Sequence, residues 1–183
     1  IGFRHAPSAP KAPRNADAGQ RAEQRKRALQ MRLNAQAVEE MTRVRAICPA
    51  PRRIYFCGDG SYTNQTLIAN LPRGCDYIGR IRKDAVLHLL PEPQGPTRLG
   101  GRPRSYGPPA PTPEELRAME SEPWHTVRVF AAGAVHDMHV KTLGPVLWRK
   151  TGAERLVRIV VIRPLGYRLR KGCRLLYRQP AFL

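Results

Sequence analysis

Residues 54–83 read IYFCGDGSYTNQTLIANLPRGCDYIGRIRK, and this block decides the fold. Ile54 to Cys57 is a short apolar run rich in strand formers. It ends at Gly58-Asp59-Gly60. Ser61 to Leu71 predicts a helix, with Ser61 or Thr63 as N-cap and Leu67, Ile68 and Leu71 as its apolar face. Pro72-Arg73-Gly74 closes that helix. Cys75 to Arg82 predicts a second strand. A strand, a short helix and a strand joined by tight links form a βαβ unit, which implies parallel pairing and an α/β fold class.

Outward from this block the composition changes twice. Residues 1–18 carry Pro7, Pro10 and Pro13 among Ala, Ser and Arg, the composition of a flexible arm. Residues 19–48 predict one basic helix. From Gly19 to Ile47 there is no proline and no further glycine, and Leu29, Leu33, Val38, Met41 and Val44 approximate a helical stripe. Arg21, Arg25, Lys26, Arg27 and Arg32 fill the rest of its first half. Cys48-Pro49-Ala50-Pro51 stops it.

Residues 84–183 predict a β-rich region with a Pro/Gly loop at 91–113 and a short acidic helix over 114–120. Trp124 to Ala134 and Val135 to Lys141 read as a hairpin turning near Ala132-Gly133. Val146-Leu147-Trp148, Leu156 to Ile162 and Arg174 to Tyr177 are further strands, and LVRIVVI at 156–162 is the clearest of them.

The chain has 183 residues and 20.6 kDa, which is one modest domain's worth of core. With 42% hydrophobic residues it carries enough apolar content to fold. No run approaches the roughly 18 apolar residues of a membrane span. Its net charge is +18 and its pI about 11.0, so the expected partner is polyanionic. Of the 32 bases, 26 are Arg, whose planar fork grips two phosphate oxygens at once. GC-rich coding offers another reason for Arg over Lys, but it does not explain the shortage of acids. Cys48, Cys57, Cys75 and Cys173 form no C-x-x-C pair, and no secretory signal is visible. They read as reduced, buried cysteines of a cytoplasmic protein. The start at Ile1 and the end inside an apolar stretch suggest a piece of a longer protein.

Asp59 is the principal candidate for chemistry. A strand end fixes a carboxylate, flanking glycines let metal or substrate approach, and hard divalent cations take oxygen ligands. The competing reading is a turn former, since Asp is common in Gly-rich turns. Arg80 and Arg82 share one face of the expected strand and, with Lys83, read as phosphate neighbours or as a solvated basic edge. Arg102-Pro103-Arg104 reads as a minor-groove insertion or an ordinary basic loop. His136 and His139 would face opposite sides of a strand, which argues against a shared zinc. Ser61 lacks a base and a G-x-S-x-G setting. Trp124 and Trp148 read as packing residues.

The 54–83 block resembles insertion-sequence DDE transposases. There a strand ends in Asp-Gly-Ser-Tyr-Thr-Asn, a helix ends in Leu-Pro, and a strand carries Ile-Gly-Arg-x-Arg-Lys. Here these are Asp59 to Asn64, Leu71-Pro72 and Ile78 to Lys83. The likeness continues through Gly101 to Gly107 and on to Arg174-Leu175-Leu176-Tyr177, covering about residues 50–183. It implies a partial ribonuclease H-like core at 50–83 with a β-rich insertion after it. It also implies Mg2+-dependent strand cleavage and transfer, with two Mg2+ ions (or Mn2+ in their place) held by Asp, Asp and Glu. Asp59 matches the second Asp, as catalytic residue and metal ligand. The first Asp and the Glu have no match: Asp17 lies in the arm and Glu154 in the β region. Arg80, Arg82, Lys83, Arg102 and Arg104 are the DNA-binding candidates.

The implied partner is double-stranded DNA, as transposon ends and target, in the cytoplasm at the nucleoid. A homodimer is compatible with this. With one carboxylate of three, the piece should be inactive alone. The alternative is a non-catalytic basic nucleic-acid-binding protein, a transposase remnant. A membrane-surface protein ranks last, because the 19–48 helix has no aromatic anchor.

Overall fold

A computed structural model describes residues 11–92, 105–131, 133–151, 155–168, 170 and 172–183. The chain is mixed α/β and divides into two compact units, Ile1–Ile78 and Gly79–Leu183.

In the first unit, α1 (Ala18–Gln30) and α2 (Leu33–Ile47) replace the single helix expected over 19–48. Asp17, expected in the arm, is the N-cap of α1 and forms a capping box with Gln20. Arg32 is extended between the helices, and the Gln36 side chain donates to the Met31 carbonyl freed at the break. No proline or glycine marks that break. The expected stripe divides with it: Met41 is buried, whereas Leu29 and Leu33 are exposed. After α2, the Arg45 guanidinium donates to the carbonyls of Cys48 (3.1 Å) and Arg52 (2.5 Å) and ties down the proline turn.

β1 (Ile54–Gly58) and β2 (Cys75–Gly79) form a two-stranded sheet, with α3 (Gln65–Ala69) between them in sequence. Ile54 N–H donates to the Gly74 carbonyl, so the two strands begin side by side, the parallel sense expected. Arg53 pairs with Asp76 at 2.6 Å across the same end. α2 packs against α3, whose Leu67 is fully buried.

Two expectations change here. The helix starts at Gln65 rather than Ser61, because residues 59–62 are held in a turn and Asn64 caps the helix through Leu67 N–H. The strand ends at Gly79 rather than Arg82. Beyond it Ile81 N–H bonds to the Phe182 carbonyl and Arg82 to Ala85 turn back, so Arg80 and Arg82 do not share a strand face.

The second unit is the expected β-rich region. β3 (Leu87–His88), β4 (Pro109–Ala110), β5 (His125–Ala131), β6 (Ala134–Trp148), β7 (Leu156–Ile162) and β10 (Ala181–Phe182) form a six-stranded sheet. Its order is β10-β7-β6-β3-β4, with β5 also on β6. β6 is the axle of this sheet. β7 runs along one edge, and β5 and then β3 share the other. The hairpin turns at Gly133 with a positive φ of 80°.

The strands expected at Val135–Lys141 and Val146–Trp148 are one element, interrupted by an irregularity between Leu143 and Val146. Pro145 has no N–H for the ladder. At Gly144 (φ 153°) a Cβ would lie 3.0 Å from Arg158 Cα. Leu87, Val146, Leu147, Trp148, Ile159 and Val161 make the core.

α4 (Pro113–Ala118) is the expected acidic helix, capped by Thr112 with Glu115 in a capping box, and it lies on β6 and β7. Between β7 and β10, β8 (Gly166–Tyr167) and β9 (Leu176–Tyr177) form a separate two-stranded ribbon. The four cysteines are free thiols. Only Cys75 is buried, and Cys57 and Cys173 are exposed, contrary to the buried set expected. Among the described residues no helix is long and apolar enough to cross a membrane.

Candidate functional site

Asp59 follows the last residue of β1 and is exposed. The strand delivers it rigidly, and the turn that follows holds its carboxylate. Asp59 Oδ1 accepts the Ser61 hydroxyl at 2.5 Å and the Ser61 N–H at 2.9 Å. Its backbone carbonyl accepts Tyr62 N–H at 3.2 Å and the Thr63 hydroxyl at 3.0 Å. The turn reading of Asp59 is therefore realised in the geometry, as an Asx turn. The same bonds favour the charged form. The Ser61 hydroxyl, followed by the Ser61 N–H, holds the carboxyl below the usual carboxylate range. Asp59 is thus an anion at neutral pH, and Oδ2 is not used by the turn bonds.

Tyr77 of β2 closes the other side of this turn. Its hydroxyl donates to the Asp59 carbonyl at 3.3 Å and lies 3.5 Å from the Thr63 hydroxyl. Gly58 is what lets it in: a Cβ there would collide with the Tyr77 hydroxyl and ring. Burial raises the Tyr77 phenol above its usual value, and the Asp59 charge adds to this. Asp59 therefore sits where a strand turns toward a helix, with its carbonyl held by Tyr62 and Thr63 of the turn and by Tyr77 of β2.

The donor set for a metal is thin. Asp59 supplies one carboxylate, and the turn bonds engage Oδ1 of it. Among the described residues no group of three or more His, Cys, Asp or Glu side chains could hold a metal ion. Asp17 is engaged in capping α1, and Glu154 lies outside the described residues. The described residues do not fit a two-ion site.

Arg80, Arg82 and Lys83 are exposed and belong to the second unit, whereas Asp59 belongs to the first. The Arg82 fork closes on Asp84, at 2.9 Å through Nε and 2.8 Å through Nη2. That pair raises the guanidinium and lowers the carboxyl. The Lys83 carbonyl accepts Glu114 N–H at the start of α4. Arg102 and Arg104 lie outside the described residues. On α1, Arg21, Arg25, Lys26 and Arg27 are exposed, as is Arg32 after it, and Arg27 pairs with Glu23 at 3.2 Å. His136 and His139 lie on β6, and His139 Nδ1 is 3.1 Å from the Thr126 hydroxyl.

Sequence reading overlooked three side chains that the fold uses. Tyr77 reads as an ordinary strand aromatic. His88 is buried, with Nδ1 3.3 Å from the Gly107 carbonyl. Lys141 is only 3% exposed. Its Nζ donates to the carbonyls of Met119 and Arg117 (3.2 Å to the latter) and lies 4.8 Å from the Trp124 ring centre. A lysine in an alternating strand carries no sign of which face it takes. Trp148 is a core residue, as expected.

No protein-family model matches this chain, no curated protein matches it, and no solved structure matches it.

Proposed function

We propose that this chain is a piece of an insertion-sequence DDE transposase, a DNA-binding segment that contributes Asp59 to a catalytic metal site completed by residues outside it. The observation that carries the reading is Asp59 itself: an ionised, exposed carboxylate at the end of a parallel strand, inside the block Asp59 to Lys83. The strand–helix–strand arrangement supports assigning residues 50–83 to a ribonuclease H-like core, and the β-rich unit after Gly79 supports an insertion. The +18 charge and the exposed bases of α1 support DNA as the partner.

The thin donor set has a direct consequence. A single carboxylate does not hold two divalent ions, so this chain by itself binds DNA and leaves its strands intact. That observation also favours the second reading, a non-catalytic basic nucleic-acid-binding remnant. The two readings share the same first experiment. The purified chain is titrated with labelled duplex DNA over a range of salt, then incubated with supercoiled plasmid and Mg2+. Binding should weaken by about 0.9 log units per log unit of salt for each phosphate neutralised, and the plasmid should stay supercoiled. Salt-independent binding, or none, would remove DNA as the partner. Nicking by this chain alone would remove the claim that its metal site is incomplete.

A further inference from the structure

The second unit carries a charge asymmetry that no motif marks. From Leu156 to Leu183 the chain has seven bases and no acid. Surface bases are ordinarily interspersed with acids. Here the bases cluster on the excursion between β7 and β10, which folds back as the β8/β9 ribbon. Gly166 pairs with Tyr177 and Tyr167 with Leu176. Arg178 N–H donates to the Leu165 carbonyl at 3.0 Å, and Arg168 Nη1 to the Cys173 carbonyl at 2.9 Å. The ribbon is therefore an ordered element with internal bonds.

Arg163, Arg168, Arg170, Arg174 and Arg178 are all exposed on this excursion, which contains no carboxylate to neutralise them. Two aromatic rings stand among them. Tyr167 is 37% exposed, with the Arg178 guanidinium 5.5 Å from its ring centre. Tyr177, on the paired strand, is 68% exposed. An aromatic ring left this open on a hydrogen-bonded ribbon offers surface for stacking.

We propose that the β8/β9 ribbon is a binding site for single-stranded nucleic acid, in which Tyr177 stacks an unpaired base and the surrounding arginines track the phosphates. Two features favour a single strand over a duplex. An unpaired base offers a π-face, whereas a duplex buries its π-faces in the stack. Arginines around a stacking ring supply the charge that follows a flexible backbone. The inference shares its class of partner with the proposed function but uses neither Asp59 nor a metal.

The test measures anisotropy of a labelled 15-nucleotide oligo-dT and of a duplex of equal length, titrated with the full chain without Mg2+. Circular dichroism melting confirms that each variant folds. Tyr177→Ala should weaken oligo-dT binding about fivefold or more, the low end of one lost base stack. It should change duplex binding less than about twofold. Tyr177→Phe should restore the single-strand affinity. Arg170→Gln combined with Arg174→Gln should lower the salt slope for oligo-dT by about 1.4, at roughly 0.7 per phosphate. Tyr177→Ala binding oligo-dT with parental affinity, or losing duplex and single-strand affinity equally, would overturn the stacking site while leaving duplex recognition and the Asp59 reading intact.

Discussion

Lys141→Met removes one donor and keeps the hydrocarbon length of the side chain. Lys141 is buried on β6, opposite Val161 in the ladder, and its Nζ satisfies the carbonyls of Arg117 and Met119 at the end of α4. Those carbonyls have no partner within the helix. Each hydrogen bond from a charged donor contributes about 1.5–3 kcal/mol, and a cation over Trp124 adds about 0.5–2 kcal/mol. Removing a desolvated charge from the interior offsets part of this. The balance is a loss of about 2 kcal/mol, which for a unit of about 100 residues lowers Tm by roughly 10 °C. Differential scanning calorimetry of the full chain measures it. Trp124→Leu, which keeps the donor, should cost less than half as much. A Lys141→Met protein that melts within 2 °C of the parent would show that α4 is held by its apolar face, and the assignment of Lys141 as its cap would fail.

Two more predictions concern the same unit. Glu114 is held below the usual carboxyl range by the Arg117 guanidinium, and Glu115 by the Thr112 N–H and hydroxyl. Both bind fewer protons folded than unfolded, so their contribution is complete above the ordinary Glu value and is lost as pH falls through the lowered range. Urea unfolding followed from pH 6 to pH 3 should show this decline, and Glu115→Gln should flatten it. Gly144→Ala should destabilise the sheet by about 1–3 kcal/mol, because φ there is 153° and the new methyl meets Arg158 Cα at 3.0 Å. Urea melts that coincide with those of the parent would mean that β6 accommodates a side chain at its irregularity.

Much of this architecture was legible because local pattern and tertiary role agree. The alternating, β-branched run at 156–162 is β7, and the turn at Gly133 lies where Ala132-Gly133 placed it. Elsewhere the structure departs from the local pattern. Nothing between Gly19 and Ile47 breaks a helix, yet Arg32 is extended, and the apolar stripe does not continue as one buried face. The helix after Asp59 starts four residues late because the Asx turn claims Ser61 and Tyr62. The strand through Arg82 stops at Gly79 because Ile81 bonds to Phe182, a partner a hundred residues away in sequence. At the site, the turn at Asp59 was legible in its flanking glycines. The pinning of its backbone by Tyr77 was not, since that depends on Gly58 being bare where a ring from another strand arrives.

A protein extended through the reading frames on both sides of this chain, with Asp59→Asn beside the parent, is assayed for Mg2+-dependent nicking of supercoiled plasmid. Asparagine keeps the acceptor for Ser61 and so preserves the turn, while removing the charge a metal needs. The parent should nick and Asp59→Asn should not, with equal DNA binding by both. Equal nicking by the two proteins, or nicking by neither while both bind, would return Asp59 to the role of a turn residue.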